Sequence, residues 1–335
     1  MSHTSAAPLD FESLHAALRA AGEGTRLRIL ALLAEADLTV SDLTKILHQS
    51  QPRISRHLKL LAEAGLVDRF REGSWAFYRL GERGSVADIA QALTARLDPA
   101  DPVVMRDRGR LAAVRAARAS SAQTYFSQHA AQWDRIRRLH VADAAVEGAI
   151  QAALADRPIR AFLDLGTGTG RILELFGPEV ERGFGIDMSL DMLALARARL
   201  ERNGLKHCSV RQGDIYELPV PKDSFDVVVI HQVLHFLDDG ARAIAEAART
   251  LRPQGRLLVV DFAPHDLEFL REEHAHLRLG FTAETVSQWM SAAGLDVALH
   301  RVLPPEPGSD GKIAVSLWLA RDPRVALAAA EREVA

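Results

Sequence analysis

The sequence predicts a multi-domain chain, with a small helical domain carrying a β-wing placed before a larger α/β domain that has a doubly wound sheet. Three observations predict it. At 335 residues the chain exceeds what one hydrophobic core usually serves. Apolar residues recur at helical spacing from Phe11 to Leu97, and from Ile159 onward short apolar runs alternate with helical patterns. Hydrophobic residues at 48% and charged residues at 25% are ordinary for a globular chain and exclude a disordered, collagen-like or fibrous protein. The single cysteine, Cys208, excludes an internal disulfide and a thiolate zinc cluster, and suits a reducing cytoplasmic setting. Asp10 and Glu12 precede any apolar run, and no stretch of about 18 uncharged apolar residues occurs, so neither a signal peptide nor a membrane span is expected.

The N-terminal stripes are Leu14 and Leu18, then Leu27, Leu30 and Leu33, then Leu43, Ile46 and Leu47, the last behind Ser41. After the polar turn His48-Gln49-Ser50, Ser50 reads as the N-cap of a further helix, with Pro52 tolerated in its first turn. That helix is expected to run to about Ala64, and Gly65 supplies a left-handed C-cap. Leu66 to Phe70 and Trp75 to Leu80 then read as a two-stranded ribbon turning at Glu72-Gly73-Ser74. Two helices, a tight turn and a hairpin make a winged helix-turn-helix, whose second helix can enter a DNA major groove.

Net charge, −3 overall, neither predicts nor forbids a nucleic-acid partner. Lysine and arginine number 12 against 12 acids in residues 1–100, 8 against 5 in 101–150, and 21 against 27 thereafter. One local patch stands out: Arg53, Arg56, His57 and Lys59. Gln51, Arg53, Ser55 and Arg56, near the start of the second helix, are placed for base edges, and Lys59 and Arg71 for phosphates.

The stretch Thr25 to Leu30, the segment Ser50 to Leu61, the run Ala64-Gly65-Leu66-Val67 and the wing from Arg71 to Leu80 together resemble ArsR/SmtB-type bacterial repressors over roughly residues 9–100. The resemblance implies a homodimer that binds operator DNA and releases it on sensing an effector. The family's Cys-x-Cys metal pair is absent, since the corresponding stretch reads Leu38-Thr39-Val40-Ser41-Asp42-Leu43. Residues 103–120 offer Asp107 but no histidine. Metal sensing is therefore not expected, and another signal is required.

A helical linker follows over 101–156, opened by Asp98-Pro99-Ala100-Asp101-Pro102. Its arginines, Arg106, Arg108, Arg110, Arg115 and Arg118, read as a solvated face, with a DNA-proximal surface as the alternative. Its stripe Val103, Leu111 and Val114 is a candidate dimer seam. Tyr125, Phe126, Trp133 and Ile136 recur at helical spacing, as in an amphipathic helix packing on the next domain.

In the region 157–321, Ile159 to Asp164 reads as a strand, and Leu165-Gly166-Thr167-Gly168-Thr169-Gly170 turns it into a helix beginning near Arg171. The glycines permit a tight turn and let backbone N–H groups approach a ligand. Seventeen residues beyond Gly170, a strand ends in Asp187, placed to take the hydroxyls of a ribose. Further strands are expected near Cys208 to Arg211, Phe225 to Ile230, Arg256 to Asp261, Asp296 to Leu303 and Ile313 to Ala320, before a tail over 322–335.

The Asp-x-Gly-x-Gly-x-Gly loop and this order of elements resemble a class I S-adenosylmethionine-dependent methyltransferase, with its Rossmann-like seven-stranded fold, from about residue 122 to 320. The resemblance implies binding of S-adenosylmethionine or S-adenosylhomocysteine. Asp164 and the backbone of Gly166, Thr167, Gly168 and Gly170 would meet its methionine part, and Asp187 its ribose. Met188 and Ile215 would sandwich adenine, Asp214 would accept from its amine, and His231 and Gln232 would lie beside the amino group. Tyr125, Phe126 and Trp133 resemble that family's lid.

No catalytic residue is diagnostic, because displacement at an activated sulfonium makes a general base optional. His231, His235 and His265 are candidates at strand ends. Nucleobase amines are unfavoured acceptors, since the position of the Asn-Pro-Pro-Tyr motif reads His231-Gln232-Val233-Leu234. Arsenite methylation requires several thiolates and is excluded. Asp261, His265, His274 and His276 are not expected to bind a metal, because residues 272–276 read as an exposed helix. Two functions follow: a regulator with the nucleoside ligand as its effector, or an active small-molecule methyltransferase whose winged helix controls its own operon.

Overall fold

The computed structural model describes residues 8–72, 75–81, 84–133, 143–305 and 313–325. The chain divides into two compact units, 1–120 and 121–335, with the division falling inside one helix.

The first unit contains α1 (Phe11–Ala21), α2 (Gly24–Leu33), β1 (Leu38–Thr39), α3 (Val40–Leu47), α4 (Gln51–Glu63), β2 (Val67–Glu72), β3 (Trp75–Leu80), α5 (Ser85–Ala95) and the first part of α6 (Pro102–His129). Thr39 caps α3. Its hydroxyl accepts from the Asp42 N–H while the Asp42 carboxylate takes the Thr39 N–H, a reciprocal box that closes both donors. Ser50 stands at the N-cap of α4 with Pro52 in the first turn, and Gly65 follows the helix at φ 71°. Ile29, Leu30, Leu43, Ile46, Ile54, Leu58 and Leu61 meet in one core. The ribbon forms as expected, β3 lying between β1 and β2 with Phe70 opposite Phe77, while the turn residues Gly73 and Ser74 lie outside the described residues.

Helix α1 buries Ala17 and Ala21 and leaves Phe11, Leu14 and Leu18 exposed, so the leucine stripe is not the core-facing side. Leu111 and Val114 pack on the unit's own core, so only Val103 of the expected seam is exposed. The arginines of α6 are held within the unit: Arg108 pairs with Glu35, Arg110 and Arg115 donate to the carbonyls of Ile46 and Glu35, and Arg118 reaches Asp42 at 2.6 Å. Asp107 is buried in a two-bonded pair with Arg28, at 2.6 and 2.7 Å.

In the second unit the described elements after α6 are α7 (Asp143–Leu154), β4 (Ile159–Leu165), α8 (Arg171–Phe176), β5 (Val180–Asp187), α9 (Leu190–Arg202), β6 (Cys208–Gln212), β7 (Phe225–His231), α10 (Gly240–Thr250), β8 (Leu251–Phe262), α11 (Phe269–Glu273), α12 (Ala283–Ala292), β9 (Asp296–Leu303) and β10 (Val315–Arg321). They build a seven-stranded sheet in the order β6-β5-β4-β7-β8-β10-β9, parallel except that β10 runs antiparallel to both its neighbours. Strand β8 begins at Leu251 rather than Arg256, with a register shift between Phe225 and Val227 that absorbs the intervening residues. Alternate residues of the central strands feed two cores: Phe162, Val227, Val229, Leu258 and Val260 on one face, Leu163, Leu165, Val228, Ile230 and Leu257 on the other. The chain reverses its direction of travel across the sheet between β4 and β7, and the carboxyl ends of those strands flank a crevice where open α/β sheets bind ligands.

Candidate functional site

The crevice is built first from backbone conformation. Gly166, Gly168 and Gly170 all take positive φ, 68°, 52° and 78°, which is the left-handed region that L side chains rarely adopt. The first of these also has no room, because a Cβ on Gly166 would lie 2.4 Å from the Val233 side chain. At Gly168 the nearest atom to an added Cβ is the indole nitrogen of Trp133, at 3.7 Å, so the loop is open there apart from one aromatic cover. The Thr167 hydroxyl donates to the Asp164 carboxylate at 2.6 Å, tying the end of β4 to the turn that follows it.

Asp187 closes the other side. One carboxylate oxygen accepts from the Gly168 N–H and the other from the Ser189 N–H, both at 2.8 Å. Burial pushes its carboxyl above the ordinary aspartate range, opposed by the N–H groups of Ser189, Gly168 and Met188. Met188 is 45% exposed and Ile215 is buried, so one of the two expected adenine walls is open and the other fixed. Asp214 is exposed and accepts from the Tyr216 N–H. His231 ends β7 and is buried, and Gln232 beside it takes a positive φ of 56°, its backbone N–H donating to the Val260 carbonyl at 2.7 Å and its side-chain Nε2 buried without a hydrogen bond among the described residues. A left-handed non-glycine residue with an unmet donor at the switch point is what a polar ligand group would relieve. The residues present therefore fit the nucleoside ligand that the loop resembles a site for.

Sequence reasoning singled out three histidines, and the structure separates them. His265 is half-buried, its pKa pushed down to about 4 chiefly by loss of water, with His235 adding to the effect. His231 is buried at the end of β7. His235 lies 2% exposed on the turn after β7, and its Nδ1 is 2.7 Å from the carboxylate of Asp261. Asp261 is fully buried at the end of β8 and also accepts from the Phe262 N–H at 2.7 Å. The exposed helix expected over 272–276 stops at Glu273. Ala275 takes φ 58°, and His276 turns inward, 8% exposed, with its ring centroid 4.2 Å from that of His235.

The end of α6 covers this region. Tyr125 donates or accepts at His274 Nδ1 over 2.6 Å, and the rings of Phe126 and Trp133 lie 4.8 and 6.2 Å from that of Phe236. Ile136 lies outside the described residues. Phe236, Phe262 and Val233 carried no sequence signal of their own, and Asp261 was singled out only with His265, His274 and His276 as a metal cluster that was not expected; the topology instead brings it to His235.

In the first unit, Gln51, Arg53, Ser55, Arg56 and Lys59 are all exposed on α4, while Ile54, Leu58 and Leu61 turn inward. Lys59 pairs loosely with Glu63 at 3.7 Å, and Arg71 is exposed on β2. His57 differs from the rest of the basic patch. Its side chain is only 12% exposed, lies 3.6 Å from Glu23, and has its pKa lowered by burial.

Comparison with known proteins agrees with both halves of this description. Residues 23–69 match the model of the bacterial regulatory protein, arsR family, and residues 163–259 match that of a methyltransferase domain. The chain carries an ArsR-type helix-turn-helix and a methyltransferase domain of Rossmann-like fold. The uncharacterized methyltransferase YcgJ of Bacillus subtilis is 35% identical over 105 residues, 31% of this chain and 42% of its own length. The demethylmenaquinone methyltransferase of Thermus thermophilus is 35% identical over 147 residues, 42% of this chain and 64% of its own length. The chain thus spans less than two thirds of either relative. A chain from a methyltransferase activator complex of Haloferax volcanii superposes with a TM-score of 0.50 at 23% identity, over 59% of this chain and 98% of that one, a likeness of fold.

Proposed function

We propose that the protein is a homodimeric, operator-binding transcriptional regulator of the cytoplasm whose methyltransferase domain binds S-adenosylmethionine or S-adenosylhomocysteine as its effector. The observation that carries this reading is Asp187, set at the end of β5 with both carboxylate oxygens fixed by backbone N–H groups and one of them on the glycine loop itself. In that reading Asp187 takes the ribose, and Asp164 with the backbone of Gly166, Thr167, Gly168 and Gly170 takes the methionine part. Met188, Asp214 and Ile215 take adenine, Gln232 and His231 the amino group, and Tyr125 and Trp133 the cover. Gln51, Arg53, Ser55, Arg56, Lys59 and Arg71 face the operator, with His57 bracing α4 from behind. The exposed face of Phe11, Leu14 and Leu18 on α1 supports pairing with a second copy, because exposed apolar side chains on one helix face are a candidate association surface.

Operator binding at fixed salt, on DNA from the protein's own upstream region, tests the reading when titrated separately with each ligand. A shift of about tenfold, or about 1.4 kcal/mol, with either ligand is expected. No shift, despite measurable ligand binding, would overturn the effector role. A second reading, methyl transfer to a small molecule, is favoured by one observation: the His235 and Asp261 pair, which ligand binding alone does not require.

A further inference from the structure

Asp261 is a carboxylate with no exposure, at the carboxyl end of β8, and its partner is the imidazole of His235 at 2.7 Å. Removing such a pair from water is unfavourable unless it is well bonded, and here the carboxylate also takes the N–H of Phe262 at 2.7 Å and, more weakly, that of His235 at 3.4 Å. A carboxylate on Nδ1 fixes the ring as the tautomer whose Nε2 carries the lone pair, and it stabilises the imidazolium once that lone pair takes a proton. The same constellation, a base oriented by a buried acid, activates nucleophiles on unrelated folds.

The surroundings define what such a base could meet. Phe236, Phe262 and His276 lie within 4.0, 4.7 and 4.2 Å of the His235 ring, centroid to centroid. Phe236 in turn meets Phe126 and Trp133, and Trp133 reaches the open position at Gly168. An aromatic wall thus runs from the glycine loop to the histidine. His265, held neutral with a pKa near 4, does not compete for a proton at neutral pH.

We infer that this wall and the His235 and Asp261 pair form a second small-molecule site beside the nucleoside site, selective for a planar apolar molecule bearing a weakly acidic hydroxyl, a phenol or an enol. His235 Nε2 takes the hydroxyl proton, the O–H bonding pair stays on oxygen, and the products are an oxyanion and an imidazolium paired with Asp261. A cationic amine is disfavoured on this wall, because the Asp261 carboxylate is already engaged by His235 and the Phe262 N–H. The inference rests on the methyltransferase reading of this unit, where such an oxyanion would be the methyl acceptor.

The probe is 4-nitrophenol, whose anion absorbs visible light, added to the full chain saturated with S-adenosylhomocysteine. Binding with ionisation of the phenol below its solution pKa is expected. His235→Gln should abolish the ionisation while leaving S-adenosylhomocysteine affinity within about twofold, and Asp261→Asn should reduce the ionised fraction by about tenfold, one pKa unit. Because either variant can perturb folding, the nitrogen resonances of the wild-type His235 ring give an independent reading. Protonation at Nε2 on addition of the phenol supports the site. Failure of the phenol to bind, equal ionisation with His235→Gln, or an unchanged His235 resonance overturns it. If S-adenosylhomocysteine itself does not bind the wild type, the methyltransferase reading fails instead, and the two failures are told apart.

Discussion

On α4 the side chains assigned to DNA stand in solvent, whereas at the glycine loop Asp164, Thr167, Thr169 and Asp187 are bonded within the protein before any ligand arrives. Arg53 and Arg56 are exposed, but Thr167 is on Asp164, Arg199 holds Thr169 at 3.0 Å, and both oxygens of Asp187 are taken. The contrast follows from the partners. A polyanion is attracted through solvent over a long range, and flexible cations gain by releasing its counterions. A small ligand offers few contacts, so each must be in place beforehand, or ordering the site consumes the affinity. Substitutions should accordingly act through geometry in the second unit and through charge in the first.

The largest effect is expected at Gly166. An alanine there would meet the Val233 side chain at 2.4 Å and force a left-handed φ of 68° on an L residue. The backbone term is about 1–2 kcal/mol and the overpacking term about 1–3 kcal/mol, so Gly166→Ala should destabilise the unit by about 2–5 kcal/mol. Gly204→Ala is the control, since φ is 67° there but no atom lies within 4 Å, and it should lose only the backbone term. Urea denaturation of the two variants checks this. Equal losses would mean the loop is not preorganised by packing.

Next comes Asp187. Asp187→Ala removes a charged acceptor that would serve two ribose hydroxyls, and S-adenosylhomocysteine affinity measured by calorimetry should fall by about 2–4 kcal/mol. Its raised pKa sets the sign of a pH effect. As pH falls through that pKa the carboxyl protonates and ligand affinity drops, at a pH above the ordinary aspartate value of 3.8. The unliganded chain responds oppositely, because a buried carboxylate with a raised pKa contributes stability when protonated and loses it as pH rises. A ligand affinity flat down to pH values near 3.8 would contradict the burial of Asp187.

How much of this was legible in the sequence divides along the same line. The winged helix was readable element by element, because caps and turns are local: Ser50, Pro52, Gly65 and the hairpin each signal within a few residues. The glycine loop and Asp187 were readable from spacing. What sequence missed depends on contacts between distant segments. The arginines of α6 look solvated in the chain, but Arg118 finds Asp42 and Arg108 finds Glu35 only once the helix docks. Leu14 and Leu18 fit a core stripe until Ala17 and Ala21 prove to be the buried face of α1. Asp261 and His235 lie 26 residues apart, and only the adjacency of β7 and β8 in the sheet joins them.

The smallest effects belong to α4, and there the comparison can be made sharpest. If Arg56 reads a base edge with two hydrogen bonds, Arg56→Ala should weaken operator binding by about 1–3 kcal/mol and relax specificity at one base pair. Lys59→Ala should act more weakly and equally on all sequences, lowering the slope of log affinity against log salt by about 1. His57→Gln completes the set. Its ring is turned toward Glu23 with its pKa lowered, so it is neutral at pH 7 and releases no counterion. That variant should therefore leave the salt slope unchanged, as fluorescence anisotropy over a salt series would register. A slope lowered by His57→Gln as much as by Lys59→Ala would mean that the imidazole leaves Glu23 and charges on the DNA. The first unit would then share the second unit's dependence on rearrangement, and the division between a solvated reading face and a preformed pocket would fall.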